Sequence, residues 1–134
     1  MVGILLLSHG SFARGLKESS NLFFGDDIPK LEALCYSGDD VEDFDRQIDE
    51  AIRRLDDGSG VLILCDLYGG TPANRCAYKI SDRVKVITGV NFVMLLDALG
   101  RRMNVRKVQD IDLNHIMESG KKCIVCINDL YKKN

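Results

Sequence analysis

Two side chains that could act together in catalysis each follow an apolar segment of the sequence. Val2–Leu7 leads through Ser8 to His9, and Val61–Cys65 leads directly to Asp66. Apolar runs of this length are typical of strands buried on both faces of a parallel sheet. If the two strands are neighbours, as in the flavodoxin-like strand order, His9 and Asp66 flank the carboxyl-edge crevice in which such sheets bind ligands. A carboxylate on one imidazole nitrogen would leave the other as a nucleophile.

Both residues also have a purely structural interpretation. His9 could be a hydrogen-bonded, inert histidine at a strand edge, and Asp66 could accept hydrogen bonds from amides of its own loop. The catalytic interpretation depends on the two strands lying side by side.

A glycine-rich loop follows Asp66 on the same strand exit. Gly69 and Gly70 allow a tight turn and a close approach to a ligand, and Thr71-Pro72 begins the next predicted helix. Free amides and the positive end of the helix dipole at such a start suit a phosphoryl group. The simpler interpretation is a turn with Thr71 as the N-cap, which needs no ligand.

Other familiar sites are not predicted. The sequence contains neither a Walker A motif nor a dinucleotide-binding glycine fingerprint. Cys123 and Cys126 would point to opposite faces of a strand, which argues against a redox or zinc site. The five cysteines are interpreted as small buried hydrophobes, and His115 as a surface histidine. We therefore expect no metal and no cofactor.

Charge and composition narrow the class of protein. A formal net charge of −2 and the absence of tryptophan argue against nucleic acid as a partner. The apolar N-terminal run has no basic leader, and no segment has the length of a transmembrane helix. The sequence therefore predicts a cytoplasmic protein.

Strands and helices alternate along the chain, which predicts one α/β domain with a doubly wound, mainly parallel sheet flanked by helices. Besides the two apolar strands, the predicted strands are Leu31–Tyr36, Val84–Thr88 and Cys123–Leu130. The predicted helices are Ala13–Phe24, Val41–Leu55, a helix from Thr71 to about Ile80, Phe92–Arg101, and a short helix capped by Asp112 and ending at Gly120. A lone histidine, a carboxylate and a phosphate-binding loop on this scaffold indicate phosphoryl transfer with the histidine as carrier.

Three segments carry a family resemblance. Ile4–Ala13, Asp66–Asn74 and Thr88–Leu95 resemble the IIA component of the mannose, fructose and sorbose family of the bacterial phosphoenolpyruvate-dependent sugar phosphotransferase system (PTS). The resemblance covers the whole chain in order and length. It implies that residues 1–134 are a single PTS EIIA type-4 (mannose-family) domain.

The resemblance also implies roles and partners. His9 would accept a phosphoryl group on Nε2 from phospho-HPr and pass it to the IIB component, which phosphorylates a sugar that the membrane IIC and IID proteins import. Asp66 would orient His9, and Gly69, Gly70 and Thr71 would bind the phosphoryl group.

The resemblance further implies a homodimer in which the last strand, around Ile124 to Ile127, crosses to the partner's sheet and runs antiparallel. Val93 departs from the family pattern, where proline is usual. No IIB-like segment follows Asn134, so we expect a free-standing IIA polypeptide.

Three alternatives compete with this interpretation. The phosphocarrier subunit of a dihydroxyacetone kinase would keep the histidine and have no sugar to transport. A non-catalytic regulatory module of the same fold would use the crevice only for binding. A histidine phosphatase of the Arg-His-Gly type is disfavoured, because Ser8 stands where the phosphate-binding arginine would be.

Overall fold

The sheet brings the apolar segments together in the centre of the molecule. The computed structural model describes residues 1–131. Its four parallel strands pair in the order β2-β1-β3-β4. They are β1 (Gly3–His9), β2 (Leu31–Tyr36), β3 (Val61–Cys65) and β4 (Val84–Ile87). The predicted flavodoxin-like order and the pairing of β1 with β3 are confirmed.

Helices cover both faces of the sheet, as expected for parallel strands joined by crossovers. The helices are α1 (Phe12–Phe24), α2 (Val41–Leu55), α3 (Gly70–Ala77), α4 (Phe92–Arg101), α5 (Leu113–Lys122) and α6 (Ile127–Leu130), with 3₁₀ turns at Arg102–Asn104 and Val108–Asp110. Within residues 1–131 no helix is both long and apolar enough to cross a membrane.

Alternation along β1 divides the core into two clusters. Ile4 and Leu6 pack in the cluster that also contains residues of α1, α4 and α5, whereas Leu5 and Leu7 pack in the cluster formed with α2 and α3. Since successive side chains on a strand point to opposite faces, His9 follows Leu5 and Leu7 towards the side of α2 and α3.

The sequence of helix α2 contains a cap, end charges and an apolar face that favour a helix. The Asp40 side chain accepts a hydrogen bond from the backbone N–H of Asp43 at 3.0 Å and caps the first turn. Acidic residues in that turn and arginines in the last turn complement the helix dipole. Its buried residues recur every three or four positions and face the sheet; they are Phe44, Ile48, Ala51 and Leu55.

The predicted last strand, Cys123–Leu130, is wrong for the single chain. Residues 123–126 have no regular secondary structure, and α6 follows them. The apolar side chains here are exposed, with 79% of Ile124 and 65% of Ile127 accessible. A strand needs a neighbouring strand to satisfy its backbone, and this segment instead bonds locally, for example from the N–H of Asp129 to the carbonyl of Cys126.

The expectation that all five cysteines are buried is also only partly correct. Cys65 and Cys76 are buried, Cys35 is half-buried, and Cys123 and Cys126 are exposed because the segment that carries the last two lies outside the sheet.

Candidate functional site

The carboxyl edge of the sheet brings His9 and Asp66 into direct contact. His9 Nδ1 lies 2.9 Å from Asp66 Oδ2, and the same carboxylate oxygen accepts a 2.9 Å hydrogen bond from the backbone N–H of His9. The other carboxylate oxygen accepts from the N–H of Leu67 at 2.9 Å. Asp66 therefore does bond a loop amide, as the structural interpretation expected, and it binds the imidazole as well.

The environment of Asp66 keeps the carboxylate ionised. Its side chain is only 11% exposed, whereas that of His9 is 43% exposed. Burial by itself raises the pKa of Asp66, but hydrogen bonds from the backbone and ring of His9, the charge interaction with the ring and the N–H of Leu67 together hold that pKa below its usual range. An ionised acceptor at Nδ1 favours the tautomer with its proton on Nδ1, which leaves the Nε2 lone pair free.

The glycine loop approaches the imidazole at its Nε2 side. A methyl group built on Gly70 would lie 2.9 Å from His9 Cε1 and 3.2 Å from Nε2, whereas one built on Gly69 would meet nothing within 4 Å. Gly70 is also the first residue of α3, so the start of that helix faces the reactive nitrogen. Only glycine allows this approach without displacing the ring.

The prediction that Thr71 is the N-cap is wrong. Gly69 occupies the N-cap position and Thr71 is the second residue of α3. Gly69 and Gly70 have φ angles of 79° and 77°, so the chain turns into the helix two residues earlier than a threonine cap would require. Helix α3 also ends at Ala77, short of the predicted Ile80.

Ser8 was missed as a contributor to the site. Its buried hydroxyl accepts a 2.7 Å hydrogen bond from the N–H of Ala13 and donates to the carbonyl of Gly10 at 3.1 Å. These bonds hold the turn between His9 and α1. The only sequence signal was a hydroxyl residue next to a turn, a position at which serine often bonds the backbone.

Tyr36 was also missed. It ends β2 and pairs in register with His9, and its ring lies 6.2 Å from the imidazole, centre to centre. The sequence places Tyr36 at the carboxyl end of a strand, and that position becomes informative only once β2 is known to neighbour β1.

The second histidine has a carboxylate partner but no glycine loop. His115 Nδ1 lies 3.1 Å from Asp97 Oδ2 and 3.3 Å from Ser119 Oγ, and its side chain is 52% exposed, as predicted for a surface histidine. Arg101 Nε is 3.1 Å from both oxygens of Asp97, so that carboxylate is shared.

The remaining candidates for other chemistry do not form sites. The Sγ atoms of Cys65 and Cys76 lie 3.8 Å apart in the core. The hydrogen bond with Cys76 and burial raise the pKa of Cys65, so the reactive thiolate is disfavoured. Across residues 1–131 no three histidine, cysteine, aspartate or glutamate side chains are grouped to hold a metal ion.

Val93, the departure from the family pattern, lies in the first turn of α4. Asn91 caps this helix by accepting from the N–H of Met94 at 3.0 Å. The helix therefore starts normally with valine at this position.

Comparison with known proteins agrees with this geometry. The family model described as the PTS system fructose IIA component matches residues 3–116. The PTS system fructose-specific EIIA component of Bacillus subtilis (strain 168) is 29% identical over 134 residues, covering 98% of this chain and 91% of that protein. The PTS system mannose-specific EIIAB component of Escherichia coli (strain K12) is 28% identical over 103 residues, which are 75% of this chain and 32% of that longer protein.

Among solved structures, the crystal structure of phosphotransferase system component EIIA from Streptococcus agalactiae superposes with a TM-score of 0.84 and 26% identity, covering 96% of this chain and 99% of that one. The match of the family model over most of the chain and the shared architecture agree with each other. The chain belongs to the family of PTS IIA components of the mannose, fructose and sorbose type.

Proposed function

We propose that this protein is a phosphocarrier that accepts a phosphoryl group from phospho-HPr on His9 Nε2 and passes it to a IIB component. The observation that carries the proposal is the 2.9 Å contact of His9 Nδ1 with Asp66, with the backbone of Gly70 beside the Cε1–Nε2 edge of the ring. One nitrogen is thereby held by a carboxylate, and the other faces a helix start that suits an anion.

In the proposed reaction, the Nε2 lone pair of neutral His9 attacks the phosphorus of the phosphohistidine of HPr in line with the bond that breaks. The imidazole of HPr leaves with the electron pair of that bond. The Nδ1 proton of His9 stays in place, hydrogen-bonded to Asp66, whose negative charge stabilises the positive charge that develops on the ring. Transfer to IIB is the same step with His9 as the leaving group.

The glycine loop supplies the phosphoryl site in this proposal. Backbone N–H groups of Gly69, Gly70 and Thr71 would receive the phosphoryl oxygens, because the first amides of a helix have no partner within it. The Thr71 hydroxyl would add one donor. No metal or cofactor takes part.

The family membership supports the choice of partners. We propose phospho-HPr as donor, IIB as acceptor, and sugar phosphorylation coupled to import by membrane IIC and IID proteins as the final use of the phosphoryl group. The protein would work in the cytoplasm, with residues 1–134 acting as one IIA domain.

We also propose that the protein works as a homodimer. The C-terminal segment is apolar but exposed, with Ile124, Val125, Ile127 and Leu130 all more than half accessible. Strand β4 is an edge strand of the sheet. A segment of this composition from a second copy, extended and antiparallel along that edge, would bury these side chains and satisfy both backbones.

The experiment is labelling with phosphoenolpyruvate, enzyme I and HPr, followed by intact mass measurement and peptide mapping of acid-labile phosphate. His9→Ala should abolish labelling. His115→Ala is the matched control, because it removes a histidine that also contacts a carboxylate but lies away from the glycine loop, and it should label fully. Labelling of His9→Ala, or a folded wild-type protein that takes no phosphate from HPr, would overturn the proposal; the second outcome would favour a dihydroxyacetone-kinase carrier or a binding module.

A further inference from the structure

We propose that Tyr36 is a positioning residue whose ring holds the imidazole of His9 with Nε2 directed at the glycine loop. This inference deepens the proposed phosphoryl transfer and rests on it. It assigns a role to the end of β2, a strand that contributes no other side chain to the site described above.

The contact follows from strand register. Tyr36 is the residue of β2 directly paired with His9 of β1. Directly paired residues project to the same face of a sheet, so the two rings lie side by side towards α2. Their centroids are 6.2 Å apart and their planes are 69° from parallel, which is an edge-to-face arrangement within the range of favourable aromatic pairs.

Tyr36 is itself fixed on two sides. Its ring packs 5.0 Å from the ring of Phe44 of α2, centre to centre, and Phe44 is only 3% exposed. The carbonyl of Tyr36 accepts a 2.9 Å hydrogen bond from the N–H of Gly10, the residue that follows His9. Phe44 of the core helix therefore positions the tyrosine ring, and the turn after His9 holds the backbone that carries it.

The contact with Tyr36 adds a restraint on the His9 ring that the other contacts do not supply. Within residues 1–131, the hydrogen bond to Asp66 is the only side-chain hydrogen bond that the structure gives the His9 ring, and a side chain held by one such bond can still rotate partly about its χ1 and χ2 bonds. The Gly70 side of the ring has no side chain, and the His9 side chain is 43% exposed. Tyr36 is the aromatic neighbour that restricts this rotation, and a misdirected Nε2 would be poorly aligned for in-line attack.

The test compares Tyr36→Phe and Tyr36→Leu with the wild type. The matched control is Leu34→Ala, because Leu34 lies two residues earlier on β2, belongs to the same core cluster and pairs with Leu7, two residues before His9. Three quantities are measured for each protein: kcat and KM for transfer from phospho-HPr, the NMR signals of the His9 ring, and stability to urea.

Tyr36→Leu should lower kcat about three- to tenfold, which is the size of effect expected for one aromatic pair, with little change in KM. The proton signal of His9 Cε1 should shift as the neighbouring ring current is lost. Tyr36→Phe should restore both values, since the argument uses the ring and not the hydroxyl. Leu34→Ala should lower stability and leave kcat unchanged.

Two results would overturn the inference: a Tyr36→Leu protein with wild-type kcat, or a Leu34→Ala protein slowed to the same extent. Failure of the proposed function is a separate result, because it would appear as absence of phosphate on the wild-type protein. In that case the NMR comparison still decides whether Tyr36 fixes the His9 ring.

Discussion

The backbone of Gly70 lies so close to the ring of His9 that no side chain fits between them. A methyl group there would be 2.9 Å from Cε1 and 3.2 Å from Nε2. We expect Gly70→Ala to turn the imidazole away from the loop and to lower the rate of His9 phosphorylation by more than about tenfold, because in-line attack is sensitive to small misplacements. Stopped labelling reactions with phospho-HPr measure this rate.

Gly69→Ala is the control for backbone strain. Gly69 has φ 79° and Gly70 has φ 77°, so alanine is strained at either position by about 1–2 kcal/mol. A methyl group at Gly69 meets nothing within 4 Å. Alanine at Gly69 keeps the backbone N–H that is proposed to bind the phosphoryl group. Both variants should therefore lose stability, and only Gly70→Ala should lose most of its activity. Equal losses of activity would show that loop strain, and not contact with the ring, explains the glycine.

Asp66→Asn should leave the fold intact and slow phosphoryl transfer by about tenfold or more. The carboxylate accepts a charge-assisted hydrogen bond from the ring, and bonds to a charged group contribute about 1.5–3 kcal/mol. An amide keeps the shape but cannot stabilise the positive charge that develops on His9. The rate of labelling at saturating phospho-HPr tests this, and a wild-type rate would remove Asp66 from the mechanism.

The same carboxylate predicts a pH dependence of stability. The pKa of Asp66 is lowered in the folded protein from 3.8, so folding favours the ionised form. The resulting stabilisation is present above the unfolded pKa and is lost as the pH falls through the lower, folded pKa. As the pH falls from neutral through 3.8 and below, urea unfolding should show the wild type losing stability more steeply than Asp66→Asn. Parallel pH profiles for the two proteins would contradict the lowered pKa.

Ser8→Ala should lower the free energy of unfolding by about 1–3 kcal/mol, because the buried N–H of Ala13 would lose its acceptor. Ser20→Ala is a matched control: Ser20 is equally buried, but its hydroxyl donates to the carbonyl of Lys17 within α1. That carbonyl lies inside a helix, so the control should change stability by less than about 0.5 kcal/mol. Urea titrations measure the free energy of unfolding of both variants. Equal losses would show that the hydrogen bond of Ser8 to the turn stabilises the protein no more than that of Ser20.

The central pair of the site could be predicted because His9 and Asp66 each follow an unbroken apolar run, and parallel sheets place ligands at the ends of such strands. The contribution of Tyr36 and Ser8 to the surroundings of His9 could not be predicted in this way. Tyr36 approaches His9 through the pairing of β1 with β2, and the part played by Ser8 depends on its bond to the N–H of Ala13, five positions later. Contacts of this kind leave no periodic pattern in the sequence.

Two of the incorrect predictions have local physical causes. Thr71-Pro72 is a good helix start by residue type, but the freedom of two glycines moved the cap back to Gly69. Cys123–Leu130 has the composition of a strand, and strand propensity acts only where a neighbouring backbone is available. In the single chain this segment has no such neighbour.

The exposed C-terminal segment therefore predicts a concentration-dependent assembly. If a second copy covers it, the wild type should sediment at twice the chain mass, and Val125→Asp/Ile127→Asp should sediment as a monomer, since buried carboxylates are costly. Leu22→Asp is the control, because Leu22 on α1 is 87% exposed, more than the 55% of Val125 or the 65% of Ile127. That variant should remain a dimer. A monomeric wild type, or a dimer that survives both aspartates, would show that this segment is not the interface.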